Sequence, residues 1–500
     1  MGLALTLVLA SVVCFSGLDR FGLHSTEGHR AIPAWEMVRA HEDPERAHDL
    51  LIPRLFEKPY LRKPPGVQWL IGATSLALGE SEGAARAALA ACATLSAVVS
   101  LAFAGRWFGW RWSIVVGPAY LLTPAMWATA RASEIEALNL LGTQLAAFCL
   151  IDLLVRPQEL GRRAAGVLVL LGAAGIFIAG MAKGPASLPL LPGVLAGACL
   201  ATHGLRPLGS RGAWALLALG GAAVAVPMAM IARAAASLDE PVVTQGVSEF
   251  LWSWSRAPHV LGMAPIALLS AAPVAFAILF PFGRDARLEC MRRHAGSFDV
   301  ARAVAMACLI ALAIYTLAGV SNPRYAMPAT CILAPLTAYV WRGLSPTIEC
   351  QMSRARRLWA GVFMGGHPAV IGTCLLIAFL VYTRTAEVSR GSTSGREAGI
   401  ALAPFLHDGA TLIARDLVEA RPETIWYAVR EAERMGASVR ARWTPEGIAD
   451  APVGTLLLLR TDDRSREAQG VIARGWPRIE PVASIRVHVY EATLYRVVER

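Results

Sequence analysis

Apolar residues fall in long blocks along most of this chain, near 1–18, 83–104, 112–128, 137–155, 164–181, 185–203, 213–232, 259–281, 300–319, 326–341 and 359–382. A helix needs about 20 such residues to cross a hydrocarbon core of ~30 Å. The pattern therefore predicts about eleven transmembrane helices. Two segments break it: a mixed-charge loop at 19–82 and a polar tail at 383–500. Within the tail, PETIWYAVREAERMG (422–436) has the spacing of a helix, while ASVRARW, GTLLLLR and HVYEATLYRVV read as strands. The expected fold class is an all-α polytopic membrane domain, residues 1–382 with the loop included, followed by a small α/β extracytoplasmic domain, residues 383–500.

Composition agrees with lipid as the main solvent. Hydrophobic residues make up 55% of the 500 and charged residues 17%, and the mean hydropathy is +0.47. The net charge of +10 raises nucleic acid as a partner, but its distribution answers otherwise. With the N-terminus inside, the inside loops hold fifteen arginines between Arg106 and Arg357, whereas the short outside loops hold only Arg131, Lys183, Arg233, Arg256 and Arg324. That is the positive-inside rule, so the basic surplus reports orientation and no nucleic acid is expected. The first block, MGLALTLVLASVVCFSG, has no basic leader and no small-residue cleavage site, and reads as an uncleaved first span. The nine cysteines lie mostly within apolar blocks without CxxC spacing and read as small hydrophobes.

Ionisable groups at mid-bilayer cost ~2.5–3.5 kcal/mol each on insertion scales, and the predicted spans are nearly free of them. The notable polar residues gather on the outer side: Glu27, His29 and Arg30, then Arg62 and Lys63, then Arg131, Glu134 and Glu136, then Lys183, then Arg324 and Tyr325. Any one of these, taken singly, reads more simply as an interfacial side chain. Their joint placement on one face points to chemistry. In HSTEGHRAIPAWEMVRA (24–40), Ser25 or Thr26 is placed to cap a helix and leave Glu27 at its N-terminus, where a carboxylate also complements the helix dipole. In YLRKPPGVQWLIG (60–72), paired prolines fix an extended turn and present Lys63 ahead of an apolar stretch at the interface, a depth suited to a phosphate headgroup. The spacing of His24, Glu27 and His29 also admits a divalent metal, which is the minor reading for histidines beside a membrane surface.

These motifs resemble the GT-C glycosyltransferases, specifically the bacterial aminoarabinose transferases and protein O-mannosyltransferases. The resemblance runs in order through TEGHRAIPAWEMV, YLRKPPGVQWL, GESEGAARAALA, ARASEIEAL, AKGPASLPLLP and SNPRYAMPATCILAP, and covers roughly residues 1–345. It implies a multi-pass, monomeric enzyme of the bacterial inner (plasma) membrane with its C-terminal domain outside the cytoplasm. The implied reaction moves a pentose or hexose from a polyprenyl-phosphate-linked donor to an acceptor hydroxyl on lipid A, another glycan or a protein. By the same resemblance, Glu27 is the base and Glu136 the second acidic site residue, with Glu134 its neighbour. Lys63, Arg62, Lys183, Arg324 and Tyr325 hold the donor phosphate, and His29, Arg30, Arg131 and Glu134 contact sugar or acceptor.

Two departures weigh on this reading. Thr26 stands where many relatives have an aspartate, and Arg62 stands where aminoarabinose transferases have a glutamate belonging to a metal site. No cofactor is therefore assigned, and a metal is in question. The departures favour one alternative, a catalytically silent relative. The other, a transporter of lipid-linked sugars, requires broken or polar spans that the sequence lacks. The separation of the two carboxylates would distinguish an inverting from a retaining displacement. Topology is directly testable: reporter fusions at Arg287 and Gly395 should report inside and outside, and the same side for both would overturn the span count.

Overall fold

The computed structural model describes residues 1–41, 51–155, 157–236, 257–272, 274–282, 295–342, 395–414, 416–443, 451–461, 478–487 and 490–499. The chain forms two compact units. One comprises Met1–Ser16, Leu61–Val67 and Arg86–Phe379, and the other Gly17–Tyr60, Gln68–Ala85 and Leu380–Arg500.

Among the described residues, five helices are long and apolar enough to cross a membrane: Glu82–Phe108, Ile135–Val155, Arg162–Ser187 with its last turn in 3-10 form, Arg211–Ala236 and Gly296–Leu317. The other predicted blocks are shorter or broken. Block 112–128 is divided into Trp110–Ser113, Val116–Leu121 and Pro124–Ala130, with a proline opening the last piece. Block 326–341 unwinds at 332–335 after the short helix Met327–Cys331. Block 359–382 lies outside the described residues. Leu170, Val226 and Leu317 are more than half exposed on their helices, as side chains facing lipid tails are.

The helix Ile135–Val155 is buried along almost its whole length. It carries Asn139, Thr143, Gln144 and Asp152 inward, so this span is less clean than the sequence suggests. Asp152 pairs with Arg106 at 2.7 Å and also accepts the Trp107 indole N–H. These polar groups are tolerated because protein, and not lipid, surrounds them. Small residues let the helix pack against Arg162–Lys183. A Cβ on Gly142 would lie 2.5 Å from the Ala179 backbone nitrogen, and one on Gly175 would lie 2.6 Å from that of Ala146, a small-xxx-small crossing with the two backbones in contact. Gly193 and Gly197 pack likewise against Ala303 and Ala307.

In the other unit, a five-stranded sheet has the order β4-β3-β5-β7-β6, built from β3 (Thr411–Ala414), β4 (Arg440–Trp443), β5 (Leu456–Arg460), β6 (Arg478–Val487) and β7 (Tyr490–Glu499). The hairpin strands β1 (Arg54–Leu55) and β2 (Lys58–Pro59) form a separate pair. Strand β3 pairs parallel with β4 and β5, and β7 antiparallel with β5 and β6. The run Leu456–Leu459 is wholly buried on both faces, as expected for a central strand. Pro481 falls on edge strand β6, beside a register shift, where a missing N–H costs least. The helix Pro422–Arg434 matches the sequence expectation, and the ring of its Trp426 lies 4.5 Å from that of Trp35 on the first-loop helix Gly28–His41, tilted by 31°. Replacing Gly142 with leucine should lower the thermal transition of the detergent-purified protein by the equivalent of about 1–3 kcal/mol of overpacking. Gly221→Leu, where nothing lies within 4 Å of the new Cβ, should leave it unchanged.

Candidate active site

Three motifs converge in the first unit. The Lys-Pro-Pro-Gly turn sits on the end of the helix Arg162–Lys183 because Gly66 has no side chain: a Cβ there would lie 2.6 Å from the Met181 carbonyl oxygen. That helix stops immediately after Lys183 because Gly184 adopts φ 64, ψ −146, a region open essentially to glycine alone. Pro64 packs over this glycine, 3.7 Å from where its Cβ would be. The third motif opens with Asn322, whose side chain accepts the Arg324 N–H at 3.1 Å and caps the 3-10 turn Pro323–Tyr325. Its effect is to bury Tyr325 and leave Arg324 half exposed.

Both lysines reach the same tyrosine. Lys63 Nζ donates to Tyr325 Oη at 3.2 Å, and its ammonium lies 5.7 Å from the ring centroid. Lys183 Nζ lies over the ring at 4.1 Å and donates to Glu136 Oε1 at 3.3 Å and to the Arg324 carbonyl at 3.5 Å. Glu136, in the first turn of its helix, faces the favourable end of the dipole as well as this ammonium. The Lys183 and Glu136 side chains are only 2% and 6% exposed, so the pair is fully buried. Glu134, two residues earlier, meets Arg324 at 3.7 Å, a looser and wetter contact. Arg62 is half-buried next to Lys63. Arg131 is engaged elsewhere: it donates to the Val13 carbonyl at 3.2 Å and the Ser16 hydroxyl at 3.1 Å, satisfying the C-terminal end of the helix Gly2–Val13.

The remaining candidates lie in the second unit. Glu27 is 3% exposed and ends the 3-10 turn Ser25–Glu27, ahead of Gly28–His41. Its carboxylate closes this turn by accepting the His24 N–H at 3.0 Å. His29 and Arg30 both turn to Tyr60: the rings of His29 and Tyr60 are 5.7 Å apart, and Arg30 donates to Tyr60 Oη at 3.4 Å. The tail helix holds the turn in place. Tyr427 Oη accepts the Leu23 N–H at 2.8 Å and donates to Glu82 at 2.7 Å, while Pro422 lies 3.0 Å from where a Gly28 Cβ would be. Tyr60 and Tyr427 were not singled out by the sequence. Tyr60 opens the diproline motif, but Tyr427 is 404 positions from the segment it fixes and gives no local signal.

No metal site is built from these residues. Among the described residues no three His, Cys, Asp or Glu side chains converge as ligands. Moreover, His29 faces Tyr60 and the position before Lys63 is the cationic Arg62.

The sequence matches no protein-family model and no curated protein. Structure is more informative. The chain's fold is similar to that of the crystal structure of ArnT from Cupriavidus metallidurans bound to undecaprenyl phosphate, with a TM-score of 0.61, 19% identity, and coverage of 98% of this chain and 97% of that one. The same protein in its apo state gives a TM-score of 0.62 at 18% identity, with the same coverage. With its apolar helices, this fold makes the chain a multi-pass membrane protein.

The buried pair has a measurable signature. Lys183→Ala leaves the Glu136 carboxylate buried without its ammonium and should destabilise the protein by about 3–5 kcal/mol. Adding Glu136→Gln should recover most of that loss in thermal unfolding, and a double variant no more stable than the single would remove the pair as the cause.

Proposed function

We propose that this protein is a glycosyltransferase that moves a sugar from a polyprenyl-phosphate donor to an acceptor hydroxyl at the outer face of the bacterial inner membrane, with the C-terminal domain on that side. The observation that carries this reading is the gathering of Lys63 and Lys183 on Tyr325, at the ends of apolar helices. A lipid-linked donor keeps its tail among such helices and its phosphate at their ends. The likeness to a structure of ArnT bound to undecaprenyl phosphate supports the same donor class.

In the proposed mechanism, Lys63 holds the donor phosphate and offsets the negative charge that grows on it as the glycosidic bond breaks. Lys183, fixed by Glu136, keeps Tyr325 oriented beneath Lys63 and adds to the positive potential. Arg324 and Arg62 extend that potential to the more exposed side. Glu27 takes the proton of the acceptor hydroxyl as its oxygen attacks the anomeric carbon, in a single displacement with inversion. The acceptor is an envelope glycan, glycolipid such as lipid A, or protein hydroxyl, and the sugar is a pentose or hexose. Mass spectrometry of envelope lipids and glycoproteins from a deletion strain and its parent identifies both.

The test of the mechanism is Glu27→Gln in purified protein. The amide oxygen still accepts the His24 N–H, so the turn is kept while proton acceptance is lost. Turnover should fall at least ~10²-fold, and Lys63→Ala should impair use of the lipid-linked donor. Transfer by Glu27→Gln at more than about a tenth of the parent rate would remove Glu27 as the base.

A further inference from the structure

The second unit contains a cavity of about 320 Å³ away from Glu27, bounded by the helix Gly28–His41, the hairpin β1–β2, the helix Pro422–Arg434 and strand β4. We infer that this cavity binds one sugar ring of a glycan. The inference deepens the proposed function, since the ring would belong to the acceptor, but the binding itself does not depend on transfer.

Its polar lining is balanced: the guanidinium groups of Arg39, Arg54 and Arg440 stand against the carboxylates of Glu36, Glu57 and Glu433. A phosphate would call for surplus positive charge, and a cation for surplus negative charge. A polyol, whose hydroxyls both donate and accept, uses both kinds of group. These groups are also held in advance. Arg39 makes a forked contact with Glu80 at 3.2 and 2.9 Å, Glu57 is gripped by Arg440 and Arg442, and Glu36 accepts the Phe56 N–H at 3.0 Å. A guanidinium has five N–H donors and a carboxylate about four acceptor positions, so groups of this kind can hold a framework contact and a ligand at once, at little ordering cost. Trp35 and Trp426, in tilted ring contact, contribute to the apolar part of the lining, which suits the C–H face of a ring. The volume is near the lower end of the roughly 300–1,000 Å³ typical of small-molecule sites, so it suits a single ring better than a lipid chain or an extended oligosaccharide.

The hairpin gives an independent sign. Its two turn residues, Phe56 and Glu57, have φ of 51° and 67°, in the left-handed region where a two-residue turn normally uses Asn or Gly. Both line the cavity. Strained non-glycine backbone of this kind persists where its surroundings over-determine it, and it clusters at ligand clamps. Here the Glu36 carboxylate holds the Phe56 N–H and the Trp443 N–H donates to the Phe56 carbonyl at 3.3 Å.

The experiment is saturation-transfer NMR on the full-length protein in nanodiscs, with N-acetylglucosamine, glucosamine, mannose, galactose and arabinose as probes and inorganic phosphate as competitor. At least one sugar should receive transfer that phosphate does not displace. The affinity should fall about tenfold or more in Val429→Trp, which fills the cavity. It should also fall in Glu433→Gln, an exposed position that folding tolerates. Glu27→Gln should bind like the parent, which separates this site from the base: sugar binding with normal Glu27→Gln turnover overturns only the mechanism above. Absence of transfer to every sugar, displacement by phosphate, or binding unchanged in both Val429→Trp and Glu433→Gln overturns the sugar site.

Discussion

A buried ammonium must find a carboxylate, and the first unit is arranged around meeting that need for Lys183. The lysine ends an apolar helix, where the helix dipole favours a cation but the surroundings exclude water. Glu136 answers it from the first turn of the adjacent helix, which packs close enough only because Gly142 and Gly175 lack side chains. Burial makes the pair costly to break without making it a large net stabiliser. Its value lies in position: with Lys183 fixed, Tyr325 has a cation over one face, and the hydroxyl at its edge meets Lys63. Gly184 and Gly66 are the backbone conditions for this arrangement, the first ending the helix and the second letting the diproline turn approach.

This arrangement was partly legible in the sequence. KPPG, KGP and NPRY are short runs in which proline or glycine fixes the backbone around a cation, so local chemistry is enough to mark Lys63, Lys183 and Arg324. Tyr325 was marked only as the neighbour of Arg324, yet it is the common surface of the two lysines. Arg131 had the same outward appearance as the others and caps the end of a helix. Nothing in ARASEIEAL distinguishes these roles, because the carbonyl it satisfies belongs to Val13, more than a hundred residues away.

The same limit applies to the fold. Long apolar blocks gave the helices Glu82–Phe108, Ile135–Val155 and Arg211–Ala236 closely, since 3.6-residue geometry and hydrophobicity act locally. Strand β6 was not foreseen: Pro481 interrupts the strand pattern of Arg478–Val487, and an edge strand tolerates it. Strand β3 has only four residues and is a strand through its two parallel neighbours. Asn139, Gln144 and Asp152 likewise depend on which helix is surrounded by protein, which hydropathy does not report.

Glu27 combines a structural role with the chemical one proposed for it. The carboxylate closes its own turn through the His24 N–H, and this alone would account for a buried acid at a helix start. A turn needing only an acceptor there could use serine or threonine, as most helix starts do, and Ser25 and Thr26 are adjacent. The turn is also fixed from outside by Tyr427 on the Leu23 N–H and by Pro422 against Gly28, contacts from a helix near the other end of the chain. Closing a sequence separation of that size carries an entropy cost that local capping never requires. A helix start does not need such support to form, whereas the base proposed above, which would have to meet a reacting hydroxyl at fixed distance, does. The tail is therefore best understood, in part, as the scaffold that holds the first-loop acid in place.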